Sequence, residues 1–135
     1  MSIDKKFVGR EYKPVTYVIG REKIKEYSKT VGDLNPLYSD SKIAPPMFVV
    51  VFARDAMFEL FNDKEININI QRLVHGEQEF SFHKTVKEND TITTKAKINN
   101  ILEKGKNDFV ELQTQSYNQN NELVVEGKWT FIIRG

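Results

Sequence analysis

The run Pro45-Pro46-Met47-Phe48-Val49-Val50-Val51-Phe52-Ala53, continued by Ala56-Met57-Phe58 and Leu60-Phe61, is apolar on every side of a helix. Two prolines can open such a helix, because the first turn needs no intrahelical donor at those positions. A helix without a polar face has to be covered all round. On propensity alone the β-branched Val49-Val50-Val51 also suits a buried strand. The strongest apolar stretch, Ala44 to Ala53, is too short to span a bilayer.

The rest of the chain supplies a cover. Residues 73–85, 91–102, 109–118 and 123–133 read as strands, separated by Lys87-Glu88-Asn89-Asp90, Lys104-Gly105-Lys106-Asn107 and Asn118-Gln119-Asn120-Asn121. Their alternation is imperfect, as expected of a sheet that holds a helix on one face and meets water on the other. Ahead of them, residues 15–19 read as a short strand, and residues 21–31 as a helix with Ile24, Tyr27 and Val31 at spacings of three and four. The order strand, helix, helix, four strands is α+β. With 135 residues, 39% hydrophobic content, nine Phe, five Tyr and one Trp, the chain supports one core and one domain over residues 1–135.

Charge and cysteine content narrow the function classes. Twenty Lys plus Arg against nineteen Asp plus Glu give +1, which argues against a general nucleic-acid binder with a concentrated basic face. Zero cysteines exclude disulfide and thiol chemistry and fit a reducing compartment. The opening Met1-Ser2-Ile3-Asp4-Lys5-Lys6 has no apolar core of a secretion signal, so the expected location is cytoplasmic, with no membrane partner. No phosphate-binding glycine loop, dinucleotide fingerprint or Ser-His-Asp order is present, and the sequence calls for no cofactor. His75 and His83 are the only histidines. On one regular strand they would lie ~26 Å apart, and a bulge at Gly76 would turn them to opposite faces, so no metal site is expected.

The residues that carry chemistry lie just before the apolar run. The segment Gly32-Asp33-Leu34-Asn35-Pro36-Leu37-Tyr38, followed by Ala44-Pro45-Pro46-Met47-Phe48, resembles the active-site motif of the MaoC-like dehydratases, or R-specific enoyl-thioester hydratases. In their pattern, Gly-Asp-x-Asn-Pro-x-His precedes Ala-His-Gly-Met. Here Asp33, Asn35 and Pro36 match, Tyr38 takes the histidine place, and Pro45-Pro46 takes the His-Gly place. The resemblance implies a hotdog fold, an antiparallel sheet wrapped around a long central apolar helix. It also implies hydro-lyase chemistry on a 2-enoyl or 3-hydroxyacyl thioester of coenzyme A or acyl carrier protein.

Both departures fall on that chemistry. Histidine exchanges protons near neutral pH, whereas a tyrosine phenol, with an ordinary pKa of ~10, donates a hydrogen bond more readily than it abstracts a proton. Family members aim a backbone N–H from the glycine at the thioester carbonyl, and proline has none, so here the donor must come from Met47 or Phe48 or be absent. Leu73-Val74-His75-Gly76-Glu77-Gln78-Glu79-Phe80 and Phe82-His83-Lys84 resemble the N-terminal-type branch, which includes partner subunits of heterodimeric hydroxyacyl carrier-protein dehydratases. In such pairs one hotdog supplies the aspartate and histidine while the other shapes the acyl tunnel.

The resemblance therefore implies Asp33, Asn35 and Tyr38 as catalytic candidates and Pro46, Met47, Phe48, His75 and Gly76 as substrate-binding candidates. Arg72 and Lys84 are candidates for a coenzyme or carrier phosphate. Asp33 and Asn35 equally suit a turn in which each bonds its own backbone, Tyr38 a plug in the histidine place, and His75 a satisfied strand residue. Three readings follow: a subunit, in a homodimer or in a heterodimer with a histidine-bearing MaoC-like chain; an autonomous hydratase built on Asp33 and Tyr38; and a non-catalytic acyl-thioester binder.

Overall fold

The computed structural model of the protein describes residues 2–40 and 42–135; Met1 and Ser41 lie outside them. Its strands are β1 (Val15–Val18), β2 (Leu73–Phe82), β3 (Thr91–Lys104), β4 (Asn107–Tyr117) and β5 (Leu123–Ile133). They form one antiparallel sheet in the order β1-β3-β4-β5-β2, with β1 and β2 at its edges. Two turns set the β3-β4-β5 meander. Gly105 takes φ +62° in the Gly105-Lys106 turn, a conformation open to glycine. At the β4-β5 turn the Asn118 carboxamide oxygen accepts from the amides of Asn120 and Glu122, and Asn121 takes φ +60°.

The helices are α1 (Arg21–Thr30), α2 (Pro36–Ser39), α3 (Val49–Phe52) and α4 (Arg54–Phe61), with 3-10 turns at Lys5–Phe7, Pro46–Phe48 and Ile70–Arg72. The apolar run is thus helical, and the strand alternative falls away. It is not one continuous helix: the 3-10 turn, α3 and α4 follow one another with a break at Ala53. Its inner side, Phe48, Val49, Phe52, Ala53, Ala56 and Leu60, is buried with Ile92, Ile98, Val110, Leu112, Trp129 and Phe131 of the sheet. Each large side chain so buried stabilises by about 1.5–3 kcal/mol. The outer side does not meet the expectation of burial all round. Met47 is 46% and Phe58 42% exposed, because one five-stranded sheet covers only one side of the segment.

β2 is bulged. His75 pairs with Phe131 and Glu77 with Thr130, leaving Gly76 as the extra residue. A Cβ at Gly76 would stand 2.6 Å from Ile132 Cδ1, the end of a flexible side chain that would have to turn aside. The bulge turns His75, Gln78, Phe80 and Phe82 to the helix-bearing face of the sheet.

Residues 9–12 extend the β1 edge along β3 through Gly9 N–H to Ile98 O (2.8 Å), Ile98 N–H to Arg10 O (2.9 Å) and Tyr12 N–H to Ala96 O (2.9 Å). From this edge Arg10 and Tyr12 reach the loop after α4, donating to Asp63 Oδ2 at 2.8 and 2.7 Å. Burial raises the Asp63 pKa, but the hydrogen bonds from the Tyr12 hydroxyl, the Glu65 amide and Arg10 outweigh it and hold the carboxyl below its ordinary range. The Tyr12 phenol is raised, first by burial and then by its bond to Asp63. This latch ties the end of α4 to the sheet edge.

Candidate functional site

The Asp33 loop is built by helix-ending chemistry. Gly32, at φ +75°, donates to Lys29 O (3.2 Å), and Asp33 N–H donates to Ser28 O (2.9 Å), the paired bonds that close a helix through a left-handed residue. The chain then makes two successive side-chain turns. Asp33 Oδ1 accepts from Asn35 N–H (3.1 Å), and Asn35 Oδ1 accepts from Leu37 N–H (3.0 Å), capping α2 with Pro36 in its first turn. Asp33 is half-buried, Asn35 exposed and Tyr38 half-buried, with Tyr38 N–H bonded to Asn35 O at 2.9 Å. The same atoms that could orient water are therefore engaged, at least in part, in shaping the backbone.

Ala44 N–H donates to Val86 O (2.7 Å), in the loop between β2 and β3. Pro45 is buried and Pro46 exposed. Phe48 N–H is satisfied by Pro45 O at 2.9 Å, and neither proline has a donor. Met47 N–H makes no hydrogen bond among the described residues, which leaves it as the free backbone donor at the head of the apolar segment. The Phe48 side chain is fully buried, its ring edge-on to Tyr27 at 5.5 Å. Burial raises the Tyr27 pKa, and this phenol on α1 was not among the sequence candidates.

His75 and Gly76 belong to a second group, on β2. The His75 ring stacks on Trp129 (5.8 Å, 18°) and leans on Phe131 (5.1 Å). Its Nε2 lies 2.9 Å from Gln78 Oε1, while Gln78 Nε2 donates to Lys128 O at 3.1 Å. With the amide nitrogen committed, Gln78 presents its oxygen to the ring; Nε2 of His75 carries the proton, and Nδ1 is the acceptor of the neutral form. Trp129 is itself fixed by Nε1–H to Thr114 Oγ1 (2.9 Å). Phe80 meets Trp129 edge-on at 5.6 Å, and Phe82, 50% exposed, adjoins Phe80.

Gln78, Phe80 and Phe82 stand in the motif quoted above but were not among the sequence candidates, and neither was Trp129. The signal that could have found them is the alternation downstream of a bulge at Gly76, opposite a strand whose Gly127 leaves room for a ring. His83 lies beyond β2, 3.2 Å from Glu126 Oε1, so the two histidines are held apart by different partners. No group of three potential metal ligands occurs among the described residues.

The single chain does not join these two groups. Among the described residues, no hydrogen bond, ion pair or ring contact links the Asp33–Tyr38 loop to His75 or Gly76. What connects the central segment to His75 is a relay of rings, Phe58 to Phe61 (6.2 Å), Phe61 to Phe131 (5.0 Å) and Phe131 to His75. Of the two phosphate candidates, Lys84 is taken up by Glu122 at 2.6 Å, whereas Arg72 pairs with no carboxylate among the described residues. No helix among those residues is long and apolar enough to cross a membrane.

Comparison with known proteins places this geometry. A family model described as FAS1-like, dehydratase domain region, matches residues 6–127. The UPF0336 protein of Saccharopolyspora erythraea is 32% identical over 146 aligned positions, which cover 100% of this chain and 94% of that protein. The fold is that of the truncated HadBC (3R-hydroxyacyl-ACP dehydratase) complex of Mycobacterium tuberculosis, at TM-score 0.83 and 24% identity over 98% of this chain and 99% of that one. The R-hydratase PhaJ1 of Pseudomonas aeruginosa superposes at TM-score 0.73 and 20% identity, covering 94% and 81%. The chain belongs to the FAS1-like dehydratase-region family and has the hotdog fold of the MaoC-like dehydratases.

Proposed function

We propose that the chain is the acyl-site-shaping subunit of an (R)-specific 2-enoyl-thioester hydratase, equally a 3-hydroxyacyl-thioester dehydratase, whose catalytic histidine comes from a MaoC-like partner. One observation carries this reading: the Asp33 loop contains no histidine. Tyr38 stands in the histidine place, and both histidines of the chain are held elsewhere, by Gln78 and by Glu126. The exposed outer side of the apolar segment, with Met47 and Phe58, and the unpaired outer edge of β2 support a seat for a second hotdog. Such a partner would cover the apolar side and offer the long edge strand its missing hydrogen bonds.

In this arrangement the partner's aspartate and histidine handle the water. This chain supplies the Met47 N–H toward the thioester carbonyl, with Pro46, His75 and Gly76 as walls of the acyl site and Phe48 supporting them from the core. The HadBC 3R-hydroxyacyl-ACP dehydratase is a complex, which supports a paired assembly and a carrier-bound substrate.

The test is hydration of a series of enoyl-CoA chain lengths by the purified chain alone and after mixing with a histidine-bearing MaoC-like subunit. Activity that appears only on mixing, and survives Asp33→Asn in this chain, is expected. A homodimer that is fully active alone and is silenced by Asp33→Asn would overturn the proposal and assign the chemistry to Asp33 and Tyr38. Partnered chains that bind acyl-CoA without exchanging deuterium at the α-carbon would leave a binder rather than an enzyme.

A further inference from the structure

The face of the sheet that points away from the helices carries one row that breaks its polar pattern. Leu102 pairs with Phe109, Phe109 with Ile132 and Ile132 with Val74, so four apolar side chains stand abreast across β3, β4, β5 and β2. Leu102 is 41% and Val74 38% exposed, and the two between them are half-buried. Beyond this row the charges are sorted by strand. β3 presents Lys95 and Lys97, β2 presents Glu77 and Glu79, and between them β4 presents the neutral Gln113 and Gln115. Lys95 lies over the Tyr117 ring at 5.3 Å, and neither it, Lys97 nor Glu77 has an ion-pair partner among the described residues.

We propose that this outer face is an interface between two copies of the chain, packed sheet on sheet about a two-fold axis that runs along the strands between β4 and β5. Such an axis sets β3 of one copy over β2 of the other, and β4 over β5. Leu102 then meets Val74 of the second copy and Phe109 meets its Ile132, which covers the apolar row. In the following rows Asn100 faces Glu77, Lys97 faces Glu79 and Gln113 faces Lys128, each contact occurring twice, with no like charges directly opposed. A two-fold axis across the strands fails this test, because through the lysine row it lays Lys97 on Lys97 and Glu79 on Glu79. An interface between identical surfaces has to be self-complementary, and charge sorted onto opposite strands meets that demand only about the first axis.

The size of the face sets the strength. Strands ~4.8 Å apart and outward rows ~6.8 Å apart give about 500 Å² over four strands and four rows, roughly 1,000 Å² for both copies. That is near the lower bound of a specific interface, so the association is weak and reversible, in the micromolar range. The face lies on the far side of the sheet from the helices, which leaves the β2 edge and the exposed side of the apolar segment free for a hotdog partner.

The test is sedimentation equilibrium of the full-length protein over a wide concentration range. The smallest unit should double in mass as concentration rises. Lys97→Glu, Glu79→Lys and Leu102→Asp should each weaken that doubling by about tenfold or more, since every change is met twice at a two-fold interface. The combined Lys97→Glu/Glu79→Lys should restore it, and Lys25→Glu, on α1, should leave it unchanged. The chain has no cysteine, so Leu102→Cys and Val74→Cys each introduce a single thiol. A short bismaleimide should join the two variants when they are mixed and join neither to itself, because the axis sets each residue over the other but ~14 Å along from its own copy. A mass independent of concentration or a charge swap that fails to restore association would overturn the interface. Doubling that ignores the outer-face changes would also overturn it and assign association to the β2 edge. Efficient linking of Leu102→Cys to itself would overturn the axis.

Discussion

Gly127→Ala is the substitution whose cost can be worked most directly from the structure. A Cβ there would lie 2.5 Å from Thr114 Oγ1, 2.7 Å from Trp129 Nε1 and 3.2 Å from Phe80 Cε1. Its neighbours are therefore the two partners of a buried hydrogen bond of 2.9 Å and a ring packed on the same indole. Overpacking of this kind costs about 1–3 kcal/mol. Separating Trp129 from Thr114 adds about 0.5–1.5 kcal/mol, so the expected loss is roughly 1.5–4.5 kcal/mol.

Trp129 is the only tryptophan, so urea unfolding followed by its fluorescence reads both the stability and the environment of the displaced ring. The His75 ring stacked upon it should shift in the NMR spectrum at the same time. Thr114→Ala removes the nearest of the three obstructing atoms. In that background Gly127→Ala should cost less, with a coupling of about 1 kcal/mol in the double-mutant cycle. A Gly127→Ala protein within about 0.5 kcal/mol of wild type, the range of ordinary surface substitutions, with unchanged fluorescence and His75 shifts, would refute the argument.

Further outcomes follow from the same geometry. Met47→Pro in the partnered enzyme should lower turnover by about a hundredfold to a thousandfold, as for loss of an oxyanion donor, while Met47→Ala leaves the rate nearly unchanged; equal effects of the two would remove the amide from the mechanism. Gly76→Ala, which has only the flexible end of Ile132 to displace, should cost no more than about 1 kcal/mol and leave hydrogen exchange in β2 nearly unchanged; a loss of several kcal/mol would contradict it. Because the folded pKa of Asp63 lies below its ordinary value of 3.8, its contribution is complete above that value and is lost as pH falls through the lower folded value. Acid titration should therefore show wild type losing stability more steeply than Asp63→Asn below about pH 4, the two curves converging in strong acid; parallel curves would disprove the latch.

Much of the fold was legible in the sequence because it rests on short-range signals. The apolar run could be stable only under cover, and the turns at Gly105 and Asn118–Asn121 announced the meander that covers it. Gly76 offered a bulge as one of two alternatives, and Gly32-Asp33 with Asn35-Pro36 marked the end of α1 and the loop after it, since glycine conformation and side-chain capping act over a few residues. The same local chemistry also explains why the loop was hard to interpret. Asp33 and Asn35 have one set of side-chain oxygens that serve equally as caps or as water-orienting groups, and only the bonds observed tell which are engaged.

The tertiary structure alone decided matters that depend on residues far apart in the chain. It placed β2 at the edge beside β5 rather than beside β3, and it left Met47 and Phe58 on an uncovered side of the central segment. It brought His75 to Trp129 and Gln78 to the Lys128 carbonyl, joined Arg10 and Tyr12 to Asp63, and set Leu102, Phe109, Ile132 and Val74 abreast in one row. The physical reason is range: periodicity and turn preference act between neighbours, whereas strand pairing and the convergence of charges appear only once register has fixed which distant residues face one another.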